Sequence, residues 1–562
     1  MKKEEYMNTS EKSEAGVSRR DFIKGAGAAA AGAAILGLPG YGPGLIGGAE
    51  EYAKPYFEVA KWDYETEILV VGHGFAGISA VITACKEDLG KVLVIDAGPA
   101  GEDGGTSSVC GQVLFCPKTV EATLAYQKFC NEPYPVEEET MQAWAIEFTK
   151  NAEWLNELGL DMQINERLEP EWPEAPAAED AVCYCHQGMA LNSVLYLALK
   201  EAEAEFNFED MPGTRARQLV YNPETKEVHG VIAETSSGEI AIKATKGVIL
   251  ACGGFENNRE MMNTYYQPIG VVPIIPEGTP YNRGDGIKMA QAIGADLWHM
   301  NSYATVRYCV QACGEDNPAS LVGFGRKSYI FVGPDGTRPL LEEWNTASRH
   351  GKVYSHGVWT DVYCPVPAQV IFDQAVFDST RIVTSSGRGW AAYHFDPPES
   401  NEEALERGII IKADTIEELA VKINQDPAIL KETVTTYNKY CVDQDDKDYH
   451  RGKGLEAGAT YMMDSATTTG ASAGSFELVP IEGPPYYAMQ LAACNINTQG
   501  GPKRNGRSEV LDTTGKPIPR LFSAGELGTI FSYKYNSGGD VGDGLASGRI
   551  AARSAGALAP LE

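Results

Sequence analysis

The sequence predicts an α/β fold built on a sheet of parallel strands. Residues 66–71 and 91–95 are short apolar runs rich in β-branched residues, and residues 78–87 between them have a helical pattern. Two further apolar runs follow at 247–251 and 521–524. Continuous apolar runs of this length are typical of strands buried on both faces, and their alternation with helices is typical of parallel sheets.

A glycine-rich turn, Gly72 to Gly77, joins the first strand to the helix. Gly72 permits the tight turn, Gly74 lets the backbone approach a pyrophosphate, and Gly77 allows the helix to pack closely on the strand. The N–H groups at the start of the helix face the phosphates. Asp96 ends the second strand, where a carboxylate can accept a hydrogen bond from a ribose hydroxyl. Together these features predict a dinucleotide site.

A loop of small residues, 104–108, favours FAD over NAD as that dinucleotide. Its glycines and hydroxyl side chains, with Gly111 and Gln112 beyond them, supply hydrogen-bond donors that suit a flavin pyrophosphate and the edge of the ring. A solvent-exposed loop is the alternative interpretation of this stretch.

Later glycines and acidic residues extend the predicted cofactor site. Two glycines follow the strand at 247–251, Glu526 follows the strand at 521–524, and helices open at 284–286 and 538–543. The last of these helix starts offers N–H groups and a dipole that favour a negatively charged, reduced flavin. The predicted FAD contacts are Gly72, Gly74, Phe75, Ala76, Gly77, Asp96, Ala97, Gly104, Gly105, Thr106, Ser107, Ser108, Gly111, Gln112, Ala251, Gly253, Gly254, Asp285, Glu526, Gly539, Asp540 and Val541.

The composition argues against nucleic-acid and metal binding. The chain has a formal net charge of −30 and a pI near 4.7, so it lacks the basic face that nucleic-acid phosphates require. The twelve cysteines have neither the spacing of a zinc site nor the C-x-x-C-H of an attached haem. No metal site is therefore predicted.

Residues 1–49 are predicted to be a twin-arginine signal peptide with its linker. Arg19 and Arg20 are followed by Asp-Phe-Ile-Lys and by an apolar run, 25–38, that is too short to span a bilayer. Cleavage is expected near residues 47–50. Because no later apolar run reaches eighteen residues, we expect an exported protein of the periplasm or cell surface that is not an integral membrane protein.

The ordered motifs resemble those of the fumarate reductase and succinate dehydrogenase flavoproteins over residues 64–560. They are G-x-G-x-x-G, G-G-T-S-S, A-C-G-G-F, G-D-G-I-K-M-A, T-Q-G-G, S-A-G-E and S-G-G-D. The resemblance implies a Rossmann-like FAD-binding domain, residues 62–302 and 498–562, interrupted by an α+β capping (clamp) domain, residues 303–497. It also implies hydride transfer between flavin N5 and an activated carbon–carbon double bond, with a proton from a protein acid.

The resemblance breaks at two positions that would bind a substrate carboxylate. Fumarate reductases place a histidine before T-x-G-G and an arginine before the late G-G, whereas this sequence has Asn497 and Asn536. Asparagine cannot form the two-pronged ion pair that arginine forms with a carboxylate. We therefore expect Asn497 and Asn536 to face a small-molecule substrate that is neutral or weakly charged.

The segment 533–539 is similar to the tyrosine–serine motif of the ketosteroid dehydrogenases in this family. By that resemblance Tyr535 is the acid or base, Ser537 assists it, and Tyr533 lies beside them; the alternative is that Tyr535 only stacks on the flavin. Arg349 is a further candidate proton donor, at a shifted spacing from the family arginine. Weaker candidates are Arg326, Tyr329 and His350, and Tyr303 and Tyr308 are candidate pocket aromatics.

The resemblance leaves four functions open. The first is reduction of an enone or enoate such as a steroid or plant phenolic. The others are reduction of an unsaturated acid of the urocanate, cinnamate or fumarate type, the reverse reaction of a ketosteroid-type dehydrogenase, and a flavin electron-transfer subunit. With no haem motif in the chain, electrons are expected from a separate cytochrome or quinol-linked partner.

Overall fold

A computed structural model describes residues 52–164, 170–186, 194–266, 274–310, 324, 327–340, 342, 350–355, 357–361, 364–384, 389–390, 395–449, 451 and 478–562. The predicted signal segment and cleavage site, Arg326 and Arg349 lie outside these residues. Within them, no helix has both the length and the apolar character that a membrane span requires.

The strands of the described residues are numbered here in chain order. They are β1 (Ala53–Pro55), β2 (Tyr64–Val71), β3 (Val92–Asp96), β4 (Leu114–Phe115), β5 (Met162–Ile164), β6 (Cys183–His186), β7 (Glu209–Pro212), β8 (Arg215–Tyr221), β9 (Val228–Thr235), β10 (Gly238–Leu250), β11 (Ile274–Pro276), β12 (Leu297–Trp298), β13 (Tyr303–Val310), β14 (Tyr329–Val332), β15 (Lys352–Ser355), β16 (Val358–Asp361), β17 (Ala368–Asp373), β18 (Ile411–Ala413), β19 (Tyr486–Thr498), β20 (Gly501–Pro502), β21 (Glu509–Leu511) and β22 (Pro517–Ser523).

The α-helices of the described residues are numbered in the same way. They are α1 (Phe75–Lys86), α2 (Val120–Asn131), α3 (Glu138–Phe148), α4 (Asn151–Glu157), α5 (Val194–Glu203), α6 (Arg259–Tyr265), α7 (Asp285–Ala292), α8 (Gln374–Phe377), α9 (Asn401–Glu406), α10 (Ile416–Lys422), α11 (Pro427–Asp443) and α12 (Gly539–Gly556). Short 3₁₀ helices cover Tyr56–Glu58, Gly105–Val109 and Ala178–Asp180.

A nine-stranded sheet carries the predicted parallel strands in the order β1-β8-β9-β10-β2-β3-β7, with β22 on β10 and β21 on β22. Strand β2 pairs in parallel with both β3 and β10, and β10 pairs in parallel with β22. Ile68, Leu69 and Val70 are fully buried because layers cover both faces of the sheet. The predicted α/β class is confirmed; the predicted strands pair in parallel, but the sheet as a whole is mixed, because β8, β9 and β10 pair antiparallel with one another in sequence order and β21 pairs antiparallel with β22.

Helix α1 begins at Phe75, three residues before the predicted start, because Gly74 already serves as its N-cap. Helix α12 packs against α1 so closely that a Cβ on Gly548 would lie 2.3 Å from the carbonyl oxygen of Ala76. The Ser79 hydroxyl of α1 donates a hydrogen bond to the Gly544 carbonyl of α12. Residues in the first turns of both helices line the same cavity.

A second, six-stranded sheet has the order β11-β19-β17-β14, with β13 and β18 also on β19. Its strands all come from residues 274–498, whereas those of the nine-stranded sheet come from residues 53–250 and 509–523. The chain thus leaves the first sheet and later returns to it. The division into domains at 303 and 497 stays a prediction, and the second sheet already takes up a strand at 274–276.

Candidate active site

A cavity of about 640 Å³ opens where the carboxyl ends of β2, β3, β10 and β22 meet the starts of α1 and α12. Ligands of open α/β sheets usually bind at such strand ends. Most of the predicted cofactor contacts line it: Gly72, Gly74, Phe75, Ala76, Asp96, Ala97, Gly104, Gly105, Thr106, Ser107, Gly111, Gln112, Ala251, Gly253, Asp285, Glu526, Asp540 and Val541. Three of the predicted substrate and catalytic residues also line it: Asn497, Tyr535 and Ser537.

Four predicted cofactor residues lie behind this lining. Gly77 and Gly539 let elements pack, since a Cβ there would lie 2.0 Å from the Gly72 carbonyl and 2.5 Å from the Phe531 ring. Gly254 makes room for three oxygens of neighbouring side chains, and the Ser108 hydroxyl donates to the Gly105 carbonyl. These four positions shape the wall and do not line the cavity.

The turn between β2 and α1 requires glycine at its first position. Gly72 has φ of +106°, and a Cβ there would lie 2.2 Å from the Ala251 carbonyl oxygen. A Cβ on Gly74 would lie 2.8 Å from the Ser107 hydroxyl, which accepts a hydrogen bond from the Phe75 N–H. The backbone is thereby exposed to the cavity in the way that a pyrophosphate needs.

Asp96 is fixed at the end of β3 by two backbone hydrogen bonds. Its carboxylate oxygens accept from the N–H groups of His73 and Gly98 at 2.8 and 2.7 Å. Burial raises the pKa of Asp96. The carboxylate keeps further lone pairs for a ribose hydroxyl.

Three buried oxygens on the cavity wall lack a hydrogen-bond partner among the described residues. They belong to Asn497, Glu526 and Asp540, at Oδ1, Oε1 and Oδ1 respectively. Unpaired buried oxygens cost free energy, so they indicate a ligand that carries hydrogen-bond donors. FAD, with its ribityl hydroxyls and its flavin N3–H, has such donors, and the residues present fit it.

Two carboxyl groups lie together here: the half-buried Glu526 lines the cavity, and the buried Glu256 lies beside it, behind the lining. Burial raises the pKa of Glu256 to about 7, and burial together with the Glu256 charge raises that of Glu526 well above its usual range. The Asn282 amide donates to Glu256 over 2.8 Å. Because two neighbouring carboxyl groups resist double ionisation, the pair retains a proton at neutral pH.

Asp540 connects two of the predicted site residues. Its Oδ2 accepts hydrogen bonds from the amides of Asn497 and Gln499 at 2.7 and 3.0 Å. Its backbone N–H donates to the Tyr535 phenol oxygen over 3.2 Å. Burial raises the pKa of Asp540 to about 7 and that of Tyr535 well above 10. Tyr535 is therefore protonated, and its own proton points away from the N–H that it accepts.

His350, one of the weaker sequence candidates, lines the same cavity. Its Nδ1 contacts the carboxylate of Glu171, whose other oxygen accepts a hydrogen bond from the Ser537 N–H over 2.7 Å. The His350 ring meets the Tyr535 ring edge-on, with centroids 4.9 Å apart. The structure thus brings His350, Tyr535 and Ser537 to one end of the cavity.

Asn536 and Tyr533 do not line the cavity. The fully buried Asn536 points behind it, where its Oδ1 accepts from the Tyr126 hydroxyl and the Glu171 N–H at 2.6 and 3.1 Å. Tyr533 donates its hydroxyl to the Trp359 carbonyl over 2.6 Å, and the Lys352 ammonium lies 4.1 Å from its ring. In this structure both side chains support the wall from outside.

Sequence reasoning missed part of the lining. Thr214, Arg215 and Ala216 line the cavity just beyond β7, the parallel neighbour of β3, and the Thr214 N–H donates to the Asp96 carbonyl over 2.7 Å. Because β7 pairs in parallel with β3, its carboxyl end lies at the same sheet edge, but no strand is predicted there from the sequence. Tyr281 and Asn282 also line the cavity, and no local motif marks them.

Two protein-family models match the chain, and the first of them covers this site. Residues 67–540 match the family described as FAD binding domain, and residues 16–36 match the twin-arginine translocation pathway signal sequence. The second match confirms the predicted export signal.

Two curated relatives and one solved structure are similar to this protein over most of its length. Digoxin reductase of Eggerthella lenta is 24% identical over 98% of this chain and 98% of its own. Vinyl phenol reductase of Lactiplantibacillus plantarum is 25% identical over 82% of this chain and 89% of its own. The crystal structure of 3-ketosteroid delta1-dehydrogenase from Sterolibacterium denitrificans, 22% identical, covers 88% of this chain and 99% of its own with a TM-score of 0.67, which shows a shared fold.

Proposed function

Because the chain belongs to the FAD-binding domain family, we propose that it reduces the activated carbon–carbon double bond of a neutral or weakly charged enone or enoate, such as a steroid or plant phenolic. The protein is an FAD-dependent oxidoreductase acting on CH–CH groups and is exported through its twin-arginine signal. The direction of the reaction and the class of substrate are parts of the proposal.

The observation that carries the proposal is the hydrogen bond from Asn497 to Asp540. A cationic side chain at residue 497 would favour a substrate carboxylate, but here a neutral amide already donates to the carboxyl group of the half-buried Asp540. Among the described residues, Arg215 is the arginine that lines the cavity, and it pairs with Asp285 over 2.5 Å. The charge of this guanidinium is therefore already balanced by a carboxylate, although its Nε has no hydrogen-bond partner among them.

The names of two relatives support a substrate that is not a carboxylic acid. Digoxin reductase and vinyl phenol reductase are both named as reductases, and neither name denotes an acid. A probable fumarate reductase of Shewanella frigidimarina and a urocanate reductase of Eggerthella lenta match a similar share of this chain and are named for acids, so the proposal rests on Asn497 and not on the names.

When bound, reduced FAD supplies a hydride for the β-carbon of the substrate. The chain's own residues supply the rest of the chemistry. Tyr535 holds a proton at its phenol oxygen, which accepts the Asp540 N–H, and its side chain lines the cavity. Negative charge develops on the activating oxygen during hydride addition, and a fixed donor such as this stabilises it.

Electrons are proposed to come from a separate cytochrome or quinol-linked partner. The sequence contains no C-x-x-C-H motif for an attached haem, and export removes the enzyme from the cytoplasmic nicotinamide pool.

The test is a reoxidation screen. The FAD-loaded protein is reduced with dithionite without oxygen and mixed with fumarate, urocanate, cinnamate, 4-vinylphenol or 1,4-androstadiene-3,17-dione, and the flavin absorbance is followed. We expect rapid reoxidation by the enone or the vinyl phenol and slow reoxidation by fumarate. Rapid reoxidation by fumarate would contradict the argument from Asn497, and no reoxidation by any compound would favour an electron-transfer subunit.

A further inference from the structure

We propose that His350 gives the proton to the α-carbon of the substrate, that Glu171 positions His350, and that Tyr535 binds the activating oxygen. The proposal rests on the proposed function and divides the acid chemistry of that site between two residues. Its basis is the placement of His350 and Tyr535 side by side on the cavity wall.

The Glu171 carboxylate determines how the imidazole is used. It contacts Nδ1 of His350, so Nε2 is the nitrogen left to face a substrate. A carboxylate on one ring nitrogen holds a histidine in one orientation. Glu171 is 1% exposed and His350 is 6% exposed, so water does not compete strongly for this contact.

Glu171 is itself fixed from two directions. Its second oxygen accepts the Ser537 N–H over 2.7 Å, and its own N–H donates to Asn536 over 3.1 Å. Trp172, the next residue, donates its indole N–H to the Tyr535 carbonyl over 2.9 Å. One short segment therefore positions both His350 and the turn that carries Tyr535.

The backbone of His350 is held in an unusual conformation. Its φ is +47°, in the left-handed region that non-glycine residues rarely occupy. Such conformations persist where surrounding contacts impose them, and they are concentrated at functional sites. Here the Glu171 contact and the Tyr535 ring are the contacts that hold the imidazole in place.

The two residues suit different tasks. An imidazole N–H that faces a substrate carbon can act as a general acid, which is what proton transfer to carbon requires. Tyr535 is buried beside Asp540 and Glu171 and keeps its proton, which suits a hydrogen bond to an oxygen that becomes negative. A second residue is therefore needed to protonate carbon.

The substrate accepts two electrons as a hydride at its β-carbon, its C=C π bond breaks, and negative charge passes to the activating oxygen beside Tyr535. The Nε2–H bond of His350 then breaks and a C–H bond forms at the α-carbon. Neutral His350 regains a proton from solvent, and the electron donor of the proposed function restores the cofactor.

The experiment compares His350→Ala with Tyr535→Phe in the FAD-loaded, dithionite-reduced protein, using whichever compound of the screen reoxidises the wild type. We expect His350→Ala to lower the saturating rate about a hundredfold or more, with FAD content unchanged. Added imidazole should restore much of that rate. Tyr535→Phe should reoxidise slowly, and added imidazole should not change its rate. Glu171→Gln should lower the saturating rate less than His350→Ala does.

The controls separate the outcomes. His229→Gln, at a histidine that does not line the cavity, should behave as the wild type. A His350→Ala protein that keeps FAD and the wild-type rate, or one that stays slow at every imidazole concentration, overturns the proposal while leaving the proposed function intact. If His350→Ala does not fold, His350→Gln replaces it, and an undiminished rate there overturns the proposal. A wild type that no compound reoxidises overturns both.

Discussion

The backbone N–H of Asp540, near the start of α12, donates a hydrogen bond to the phenol oxygen of Tyr535 over 3.2 Å. The phenol is an acceptor in this contact, so its own hydrogen is directed elsewhere. The side chain of Asp540 accepts a hydrogen bond from the Asn497 amide. Asn497, the candidate substrate-binding residue, and Tyr535, the candidate catalytic residue, are therefore both hydrogen-bonded to the start of α12.

Tyr535→Phe removes the phenol proton and preserves the ring. Because loss of one donor to a developing oxyanion costs about 10²–10³ in rate, we expect flavin reoxidation to slow by about that factor with FAD still bound. Tyr533→Phe is the matched control, since Tyr533 does not line the cavity, and it should stay within a few-fold of wild type. Equal rates in the two variants would exclude Tyr535 from the chemistry.

Gly72→Ala should abolish FAD binding. The added Cβ would lie 2.2 Å from the Ala251 carbonyl oxygen, and φ is +106°. We expect the free energy of unfolding to fall by about 2 kcal/mol or more, because a steric clash adds to the left-handed cost. Flavin absorbance after purification and denaturant unfolding measure the two effects.

Gly159→Ala controls for the backbone cost alone. Gly159 has φ of +84°, and a Cβ there would meet nothing within 4 Å. The free energy of unfolding of this variant should fall by about 1 kcal/mol, and the variant should keep its FAD. Loss of FAD in Gly159→Ala would show that the assay reports general destabilisation.

Glu256→Gln should change how stability depends on pH. Burial raises the pKa of Glu256 from 4.5 to about 7, so the folded protein holds a proton that the unfolded chain has already lost. The stability from this group is complete below about pH 4.5 and is lost as pH rises toward 7. Relative to wild type, Glu256→Gln should therefore gain stability between pH 5 and pH 8.

Denaturant unfolding of the two proteins without FAD at pH 5 and pH 8 measures this difference directly. Asn282 donates to Glu256, and a glutamine oxygen preserves that hydrogen bond. A difference between the two proteins that is the same at both pH values would mean that the Glu256–Glu526 pair is ionised in the folded protein.

Replacing Arg19 and Arg20 with lysine should stop export. The twin-arginine match covers residues 16–36, and the arginine pair is the part of the signal that the export machinery recognises. Cell fractionation should find the variant in the cytoplasm with FAD bound, while the wild type is found outside it. Continued export of the variant would indicate a different route.

Local patterns identified residues that the fold brings together at one cavity. The turn from Gly72 to Gly77, the strands on either side and Asp96 lie close together in the chain, so spacing alone indicates their shared task. The side-chain directions within 533–537 were harder to predict. Tyr535 lines the cavity while Asn536 and Tyr533 do not. These residues lie in a turn before α12, and a turn has no regular repeat from which side-chain directions can be predicted.

The contact between Glu171 and His350 illustrates what sequence patterns do not contain. The two residues are 179 positions apart and belong to segments with no shared motif. Only the tertiary fold brings these segments together and places the imidazole beside Tyr535. His350 was named from its neighbourhood in the sequence, whereas Glu171 could be found only from the three-dimensional arrangement.

The return of the chain to its first sheet has a consequence for biosynthesis. The cofactor cavity needs both the turn at Gly72 and the segment from Tyr535 to Val541, which are more than 450 residues apart in a 562-residue chain. The ribosome therefore releases almost the whole polypeptide before the flavin can be enclosed. The amino-terminal signal peptide is synthesised first. Export of a folded, FAD-bound protein must therefore wait until α12 has folded against the cavity.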